Sequence, residues 1–264
     1  MLAVCATPIG NLDDITLRVL AELRAADFVL AEDTRHTRGL LARHEISARL
    51  VSYHEHNEAA RVAEVLPQLE AGARAALVSD AGLPGISDPG MRLIRAALAA
   101  RVEVTVLPGA SAVETALVAS GLAGERYAFV GFLPRRRNEL DALWTQLAGW
   151  PGPVVAFESP ARVGTALRSL PPERVVAVCR ELTKRFEEVV VGAAGELADR
   201  FATTKGEITL VISPAPPAEA SSPSEPALAA VRDLVGAGTP RRIAADVVAR
   251  LTGAPRNGLY RGTL

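Results

Sequence analysis

The feature that most constrains the fold is a short apolar run that ends abruptly in a loop of small residues. Residues 75–78 are Ala-Ala-Leu-Val, and the loop that follows them, at 79–90, reads SDAGLPGISDPG. Apolar residues then recur at helical spacing from position 91 onward. This pattern predicts a buried strand, a wide loop and a helix with Asp88 as its N-cap and Pro89 as its first residue. Glycines at a strand end let the backbone approach a ligand closely.

Two further strand ends open into loops of the same kind. Residues 2–6 form an apolar run followed by TPIGN at 7–11, and residues 102–106 precede LPGASA at 107–112. The carboxyl ends of parallel strands meet at one edge of a sheet, so three such loops predict one ligand crevice along that edge. None of the loops has the spacing GxGxxG or GxxxxGK[ST], which disfavours the usual dinucleotide and P-loop sites.

Alternating apolar strands and helices predict an α/β fold of two domains with a small helical tail. Residues 1–121 predict a domain with a parallel sheet, because continuous apolar strands are typical of strands covered on both faces. Its strands are expected at 2–6, 27–31, 49–53, 74–79 and 102–107. Its helices are expected at 14–25, 34–43, 58–71, 90–100 and 111–120.

A boundary is expected at Gly121–Gly131, and residues 122–213 predict a second α/β domain. Its last two strands are separated by only one short helix, which indicates a mixed sheet. Its strands are expected at 127–132, 153–157, 174–179, 187–192 and 207–213, and its helices at 138–148, 160–169 and 194–201.

The end of the chain differs in composition from both domains. Ser213–Pro226 contains five prolines in fourteen residues, which predicts a Pro-rich linker at 214–226. Residues 227–264 predict a small domain of short helices. Residues 239–264 contain five arginines and one aspartate, a net of +4 in a chain whose net charge is −1. This charge favours contact with nucleic acid, with a solvated helix face as the alternative.

Length and composition limit the class of protein. With 264 residues, 49% of them apolar, the chain is long enough for two domains with cores of their own. Cys5 and Cys179 lie in apolar strand patterns and are expected to be buried, reduced thiols. The first residues lack the basic start of a signal peptide, and the longest charge-free run, 142–157, contains two prolines. We therefore expect a cytosolic protein without membrane contact.

Charged residues at the end of the second strand are candidates for catalysis. The segment AEDTRHT at 31–37 places Glu32 and Arg35 at the edge where open α/β sheets bind ligands. Helix capping by Asp33 and Thr34 is the structural alternative, and it is compatible with a functional role.

Two histidines form a second polar cluster. His54 and His56, in HEHNE at 54–58, would lie on one face of a strand, so a metal site is possible. No third ligand has a suitable spacing. Polar lining of the crevice is the preferred interpretation, with Asn57 as a helix cap.

Basic residues follow two strands of the second domain. Arg135, Arg136 and Arg137 come directly after FLP and are candidates to bind phosphate, or else are simply solvated. Lys184, in RELTK, is a candidate to bind phosphate or to orient a hydroxyl, with a surface salt bridge as the alternative. Gly206 would permit a close backbone approach where the last strand begins.

Nine motifs occur in the order in which they occur in a known family. They are TPIGNLDDIT (7–16), AEDTRHT (31–37), HEHNE (54–58), SDAGLPGISDPG (79–90), LPGASA (107–112), GFLPR (131–135), FESPAR (157–162), RELTK (180–184) and KGEITLVI (205–212). The combination resembles the small-subunit ribosomal RNA (cytidine-2′-O)-methyltransferases of the tetrapyrrole methylase superfamily, over nearly the whole chain. The first and fourth motifs are widespread in the superfamily, whereas AEDTRHT, HEHNE and RELTK are more particular to the ribosomal enzymes.

The resemblance implies two α/β domains that bind S-adenosylmethionine in the cleft between them. Matched motif by motif, the cofactor-binding positions are Ile9, Gly10, Ala81, Gly82, Leu83, Ile86, Ser111, Ala112, Glu158, Leu182, Glu207, Ile208 and Thr209. Leu83 stands where relatives commonly have threonine, and Ala110-Ser111 replaces the more usual Pro-Cys. The glycines and prolines of these loops are retained, so backbone contacts with the cofactor are expected. A contact from a side-chain hydroxyl at position 83 is not possible with leucine.

The resemblance also implies the reaction and the partner. The 2′-hydroxyl of a cytidine in the decoding region of small-subunit ribosomal RNA would attack the sulfonium methyl, with no metal expected. Glu32, Arg35 and Lys184 are candidates to assist removal of the hydroxyl proton. Contact with RNA is expected at Arg135, Arg136, Arg137, Arg241, Arg242 and Arg256. The small ribosomal subunit is the implied partner and a homodimer the implied assembly. A tetrapyrrole C-methyltransferase and a non-catalytic RNA-binding assembly factor remain as alternatives.

Overall fold

The computed structural model describes residues 1–214 and 224–263, which fall into two compact units, Met1–Ser213 and Pro214–Leu264. Most of the predicted linker, residues 215–223, lies outside the described residues. The first unit contains both predicted α/β domains, each built on its own five-stranded sheet.

The first sheet is parallel throughout, as predicted, with the strand order β3-β2-β4-β1-β5. Its strands are β1 (Leu2–Cys5), β2 (Phe28–Ala31), β3 (Leu50–Ser52), β4 (Ala75–Val78) and β5 (Val104–Leu107). Its helices are α1 (Leu17–Ala25), α2 (Thr34–Arg43), α3 (Glu58–Glu70), α4 (Met91–Ala99) and α5 (Ala112–Ser120). Because β4, β1 and β5 are neighbours, the three loops that follow them open side by side at one edge.

Two apolar cores cover this sheet, one on each face. Alternate residues of a strand point to opposite sides. Accordingly, Leu2 and Val4 of β1 belong to one core, and Ala3 and Cys5 to the other. This double burial explains why the strands are apolar without interruption.

The second sheet is mixed, also as predicted, with the order β6-β7-β10-β8-β9. Its strands are β6 (Ala128–Phe132), β7 (Val154–Glu158), β8 (Val175–Arg180), β9 (Glu188–Ala193) and β10 (Ile208–Ile212). Its helices are α6 (Arg137–Leu147), α7 (Val163–Leu167) and α8 (Ala194–Arg200). Only β6 and β7 pair in parallel among the described strands of this sheet.

Helix α5 joins the two sheets. It follows the last strand of the first sheet, yet Val113, Ala116 and Leu117 pack in one core with Val155 and Val211 of the second. This shared core fixes the two domains against each other. The limits 1–121 and 122–213 remain predictions.

Two helix starts differ from the sequence prediction. Helix α4 begins at Met91 with Gly90 as its N-cap, so Asp88 and Pro89 precede the helix and do not begin it. Gly90 adopts a φ of +146°, which a helix pattern does not reveal and which favours glycine. Helix α1 begins only at Leu17, because the hydroxyl of Thr16 caps it, and residues 12–14 form a separate 3₁₀ turn.

The second unit contains α9 (Glu225–Gly236), α10 (Arg241–Thr252) and α11 (Arg256–Arg261). Its core consists of Ala227, Val231, Ala244, Ala245, Val248 and Leu259. Across the described ranges, the helices are all too short or too polar to cross a lipid bilayer. Cys5 and Cys179 are buried and unpaired, as predicted, and burial raises the pKa of each thiol to about 12.

Candidate active site

A cavity of about 720 Å³ lies where the loops after β1, β4 and β5 meet the second sheet. Every predicted cofactor-binding residue except Gly10 lines it. They are Ile9, Ala81, Gly82, Leu83, Ile86, Ser111, Ala112, Glu158, Leu182, Glu207, Ile208 and Thr209. Of the three predicted catalytic residues, Glu32 lines the cavity within the described part of the chain, whereas Arg35 and Lys184 do not.

Backbone contacts hold the cavity loops together. Thr7 and Gly82 exchange two backbone hydrogen bonds, of 2.8 and 3.1 Å, which tie the loop after β1 to the loop after β4. The Thr7 hydroxyl donates in addition to the carbonyl of Ser79 at 3.1 Å. A Cβ on Gly109 would lie 2.9 Å from that of Ala6, so the loop after β5 also requires a residue without a side chain.

Three carboxyl groups, on Glu32, Asp80 and Asp88, lie together along one wall. Burial raises the pKa of Asp88 to about 6, and the charges of Glu32 and Asp80 add to the rise. Burial also raises the pKa of Glu32, again with help from Asp80. Asp80 accepts a hydrogen bond from the backbone of Asp33 at 3.1 Å. Glu32 and Asp88 therefore bind a proton more readily than ordinary carboxyls do.

Glu158 is a second kind of acidic group in the cavity, because its side chain is fully buried. Its Oε1 accepts a hydrogen bond from the backbone of Ser159 at 2.7 Å. Its Oε2 lies 3.2 Å from the Arg162 guanidinium but has no hydrogen-bond donor among the described residues. Burial raises the pKa of this carboxyl. A buried acceptor without a donor is costly and is suited to a ligand that brings one.

These features fit the cofactor that the motifs imply. S-adenosylmethionine carries positive charge and several N–H and O–H donors, which the Glu158 oxygen and the Asp80 and Asp88 carboxyls could accept. The glycine-rich loops offer backbone groups at close range. Burial of the ligand among apolar residues such as Ile9 and Leu182 is typical of small-molecule sites.

Comparison with known proteins identifies the family. Residues 1–198 match the profile of Tetrapyrrole (Corrin/Porphyrin) Methylases. A "Ribosomal RNA small subunit methyltransferase I" of Micromonospora olivasterospora is 43% identical, over 96% of this chain and 83% of its own. A protein of the same name from Mesorhizobium japonicum is 42% identical, over 100% of this chain and 91% of its own. The chain belongs to the tetrapyrrole methylases, in the group of ribosomal RNA small subunit methyltransferase I. It is therefore a methyltransferase by family.

Solved structures confirm the methylase fold. The uroporphyrin-III C-methyl transferase of Thermus thermophilus, determined as a complex with S-adenyl homocysteine, superposes with a TM-score of 0.57. The match covers 80% of this chain and 96% of the other, at 18% sequence identity. At this identity the likeness concerns the fold alone.

In this methylase, Lys184 is bound to two carboxylates. Its Nζ lies 3.0 Å from Glu181 Oε1 and 2.9 Å from Glu207 Oε2. Partial burial acts to lower the pKa of Lys184, but the two carboxylates outweigh burial and raise it. Glu207 lines the cavity. Lys184 thus holds a cavity residue in place and does not contact the cavity itself.

Gly10 contributes to the site through packing. A Cβ at this position would lie 2.6 Å from Lys184 Cγ, 2.7 Å from Thr183 Oγ1 and 2.9 Å from the Leu182 carbonyl. The adjacent Asn11 N–H donates to Thr183 Oγ1 at 3.0 Å. Gly10 therefore allows the RELTK loop to lie against the loop after β1. Gly206, with a φ of +93°, similarly makes room for the side chain of Glu181.

Arg35 is directed away from the cavity. Its side chain is 86% exposed and pairs with Asp33 at 2.9 Å. The hydrogen bonds from Arg35 lower the pKa of Asp33 to about 2. Asp33 also caps α2 by accepting from the Arg35 backbone, which confirms the capping interpretation for Asp33, whereas Thr34 is the first residue of the helix.

The HEHNE segment does not line the cavity, which corrects the interpretation as polar lining. Asn57 is the N-cap of α3, but its side chain accepts from the His54 backbone at 2.9 Å and donates to Ser52. The rings of His54 and His56 are 5.9 Å apart. Within residues 1–214 and 224–263, no group of three potential ligands is arranged to hold a metal ion.

The predicted RNA-binding arginines differ in their surroundings. Arg136 pairs with Glu139 and Arg137 with Asp141 along α6, whereas Arg135 forms no ion pair in the part of the chain that the structure describes. In the helical unit, Arg241 and Arg242 begin α10, and Arg256 at the start of α11 pairs with Asp246. Arg135, Arg136 and Arg137 do not line the cavity within the described residues.

Sequence reasoning missed several residues that line the cavity. Asp80 and Asp88 were present in the central loop, but Asp88 was explained as a helix cap. Phe132 and Phe157 belong to β6 and β7 and lie in the motifs GFLPR and FESPAR, but as apolar strand residues neither is predicted to line the cavity. Glu114, on α5, accepts from Ser111 and from the Tyr127 hydroxyl, which lower its pKa. The aspartates of SDAG and SDPG were the detectable signal.

Proposed function

We propose that the protein uses S-adenosylmethionine to methylate the ribose 2′-oxygen of a cytidine in the decoding region of small-subunit ribosomal RNA. The observation that carries the proposal is the carboxyl pair Glu32 and Asp88, whose pKa values are raised, in the wall of the cavity that contains the cofactor motifs. Removal of a hydroxyl proton requires such an acceptor.

The choice of substrate rests on the relatives. Proteins named for the small ribosomal subunit are 42–43% identical over almost the whole chain. A porphyrin methyltransferase has the same fold but only 18% sequence identity with this chain. The local positive charge at Arg135 and on the helical unit supports RNA in preference to a tetrapyrrole, which carries carboxylates but no extended phosphate chain. A cytosolic homodimer remains the expected state of the protein.

Several cavity residues would hold the cofactor. The loop residues Ala81–Leu83 and Ser111-Ala112 would contact it through backbone groups, and the free oxygen of Glu158 would accept one of its hydrogen bonds. When bound, S-adenosylmethionine supplies a methyl group that is activated by a sulfonium. The protein's part is to orient the ribose and to remove the hydroxyl proton.

Glu32 and Asp88 are proposed to accept that proton together. Burial raises the proton affinity of both carboxyls, and the charge of Glu32 raises that of Asp88 further, so the pair takes up a proton that one isolated carboxylate would hold less firmly. Asp80 lies beside both and contributes the same effect. Lys184 and Arg35 are proposed to assist from outside the cavity, Lys184 by holding Glu207 and Arg35 by holding Asp33.

The proposal is tested by following a labelled methyl group. Two incubations are compared, each containing the protein and S-adenosylmethionine labelled in its methyl group. One also contains small ribosomal subunits that lack the modification, and the other contains uroporphyrinogen. RNA that takes up label is then hydrolysed with alkali. A 2′-O-methyl group blocks cleavage at its own nucleotide, because alkaline cleavage uses the free 2′-hydroxyl, so the label should appear in a dinucleotide containing cytidine.

Each other outcome contradicts part of the proposal. Label in alkali-sensitive cytidine would indicate methylation of the base. Label in the porphyrin and none in RNA would indicate a tetrapyrrole methylase. Binding of cofactor and subunits with no transfer would indicate an assembly factor.

A further inference from the structure

Phe132 is a large aromatic residue at the end of β6 that lines the cavity and yet remains 62% exposed. Single exposed apolar residues are common at protein surfaces, but this ring lines a cavity of ligand size, where aromatic side chains usually contact the ligand. The function proposed above gives this ring no role.

The local backbone directs the ring toward the cavity. The pairing of β6 with β7 shifts register between Phe129 and Phe132, and Gly131 within this irregularity has a φ of +68°. Bulges of this kind re-aim a side chain. A Cβ on Gly131 would lie 3.4 Å from Ser87 Oγ, so this part of β6 lies next to the loop after β4.

Aromatic neighbours hold the ring in place. Phe157 on β7 contacts Phe132 edge-to-face, with ring centroids 5.6 Å apart, and contacts Phe129 in the same way at 5.0 Å. The preferred geometry of such pairs restricts the ring without covering its outer part. Phe132 is therefore an ordered aromatic surface and not a mobile side chain.

The segment after Phe132 is fixed as well. The Leu133 N–H donates to the Phe157 carbonyl at 3.1 Å, and Arg162 donates to the Pro134 carbonyl at 2.6 Å. The next residue, Arg135, is exposed. It is also close enough to Glu158 to act on the pKa of that carboxyl, in the lowering direction. The arginine thus follows the cavity residue Phe132 by three positions and acts on the charge of a second cavity residue, although it does not itself line the cavity.

Charge separates the cavity into two zones. The wall carries Glu32, Asp80, Asp88 and Glu158, which repel a phosphate, whereas the exposed Arg135, three residues after Phe132, attracts one. A ligand with an anionic part and a flat, neutral part would place the anionic part on the arginine. The flat part would then lie on the phenyl ring three residues earlier in the chain.

We propose that Phe132 stacks on the pyrimidine base of the target nucleotide while Arg135 binds an adjacent phosphate. The inference rests on the proposed function and adds to it the residue that holds the base. Exposed aromatic rings beside arginines are a common way to bind unstacked bases of RNA. A nucleotide can bring its ribose into a cavity only after it leaves its helical stack, and the ring replaces the lost stacking partner.

The test compares substitutions at Phe132 with a matched control. Phe132→Ala removes the ring, Phe132→Leu keeps an apolar side chain, and Phe132→Tyr keeps the aromatic face. Phe186→Ala is the control, because Phe186 is 66% exposed and lies against Arg185 but does not line the cavity. Three quantities are measured: Kd for S-adenosylhomocysteine, kcat/KM for small subunits, and the fluorescence quenching of pyrrolocytidine in a short single-stranded RNA.

Loss of one base–aromatic stack corresponds to a fall in kcat/KM of about 10- to 100-fold. We expect this fall in Phe132→Ala, a similar one in Phe132→Leu and less than about threefold in Phe132→Tyr. Quenching of pyrrolocytidine should weaken in the same order. The Kd for S-adenosylhomocysteine should change less than about twofold in all of them, and Phe186→Ala should match the wild type.

Unchanged kcat/KM and quenching in Phe132→Ala would overturn the inference while leaving the proposed function intact. An equal loss of S-adenosylhomocysteine binding would show that the ring contacts the cofactor and not the base. A wild-type protein that transfers no label to RNA would refute the proposed function, and the quenching assay would then still decide whether the ring stacks on a base.

Discussion

The backbone N–H of Gly90 donates a hydrogen bond of 3.0 Å to Oε1 of Glu58. The same oxygen accepts from the hydroxyl of the buried Tyr53, also at 3.0 Å. Gly90 ends the loop that carries Leu83 and Asp88 into the cavity, and its φ of +146° is unfavourable for other residues. Glu58 is the last residue of HEHNE. The HEHNE segment does not line the cavity; through Glu58 it holds the end of the loop after β4, which does.

Replacing Glu58 should loosen this loop. Glu58→Ala leaves the Gly90 N–H and the Tyr53 hydroxyl without their acceptor, which should lower the free energy of unfolding by about 1–3 kcal/mol. The Kd for S-adenosylhomocysteine should rise by about tenfold, as expected for a binding loss of ~1.4 kcal/mol. Glu58→Gln retains an oxygen in the same position, so it should keep most of the stability and most of the affinity for S-adenosylhomocysteine. Urea unfolding and calorimetric titration measure the two effects.

Glu64→Ala provides the control on the same helix, because Glu64 pairs with Arg61 at the surface. Its effect on stability should stay below about 1 kcal/mol. If Glu58→Ala behaves like Glu64→Ala, the loop is held by other contacts.

The carboxyl pair predicts how activity depends on pH. If the ionised form of Asp88 accepts the proton, kcat should rise as the pH passes about 6, the pKa of this carboxyl, and then level off. Asp88→Asn should lower kcat by about 100-fold or more without a matching change in Kd for S-adenosylhomocysteine. A pH–rate profile that is flat between pH 5 and 8 would contradict this role of the pair.

The same carboxyl predicts a change in stability. Its folded-state pKa, about 6, lies above the ordinary value of 3.8, so its contribution to stability is fully present at low pH and is lost as the pH rises through about 6. Asp88→Asn cannot ionise, so it avoids this loss of stability. The substitution should therefore raise Tm more at pH 8 than at pH 5. Asp199→Asn, which affects a surface pair with Arg168, should show no such dependence. If the Tm difference between Asp88→Asn and the wild type is the same at pH 5 and pH 8, ionisation of Asp88 does not change the stability of the fold.

Gly10 should tolerate no side chain, although it does not line the cavity. A Cβ there would lie within 3 Å of Lys184 Cγ, Thr183 Oγ1 and the Leu182 carbonyl, and none of these atoms is the far end of a flexible side chain. Gly10→Ala should therefore lower Tm and weaken cofactor binding, because the RELTK loop must move. Gly39→Ala is the matched control: Gly39 lies in α2 with nothing within 4 Å of the added Cβ, so stability should rise by about 0.5–1 kcal/mol.

The fold followed from local patterns, whereas parts of the site did not. Uninterrupted apolar strands and the loops after them predict both sheets and a ligand crevice at one sheet edge, because strand ends determine where the loops open. The individual cofactor positions are implied by the family resemblance. The side-chain positions of Arg35 and Lys184 depend on their ion-pair partners. Arg35 pairs with Asp33, and Lys184 pairs with Glu181 and Glu207. A pattern of charges along the sequence does not specify these partners. The pKa of Asp88 depends on Glu32, which follows β2 and is distant in sequence.

Lys184 and Arg35 should differ in their effects on catalysis. Lys184→Ala leaves Glu181 and Glu207 without their shared cation, so S-adenosylhomocysteine binding should weaken several-fold, about 1 kcal/mol in binding free energy. Arg35→Ala removes an exposed pair and should change single-turnover methylation by less than about threefold. If Lys184→Ala leaves the Kd for S-adenosylhomocysteine unchanged, and both variants methylate at the wild-type rate with saturating cofactor and RNA, neither residue assists the reaction.

The helical unit should bind RNA and should not be needed for the cofactor. All cavity residues lie at or before Thr209, and the α9–α11 helices have a core of their own. Removing residues 227–264 should leave Kd for S-adenosylhomocysteine unchanged and weaken binding to small subunits.

The salt dependence makes this last prediction specific. The deletion removes five arginines, at positions 241, 242, 250, 256 and 261, of which Arg256 is paired with Asp246. Each phosphate contact contributes roughly one unit to the slope of log affinity against log salt, so the slope should fall by about two to four. Replacing only Arg241 and Arg242 by glutamine should remove up to about two units and keeps the unit intact. An unchanged slope with normal methylation would assign the helices to dimerisation, whereas loss of cofactor binding would show that they support the cavity.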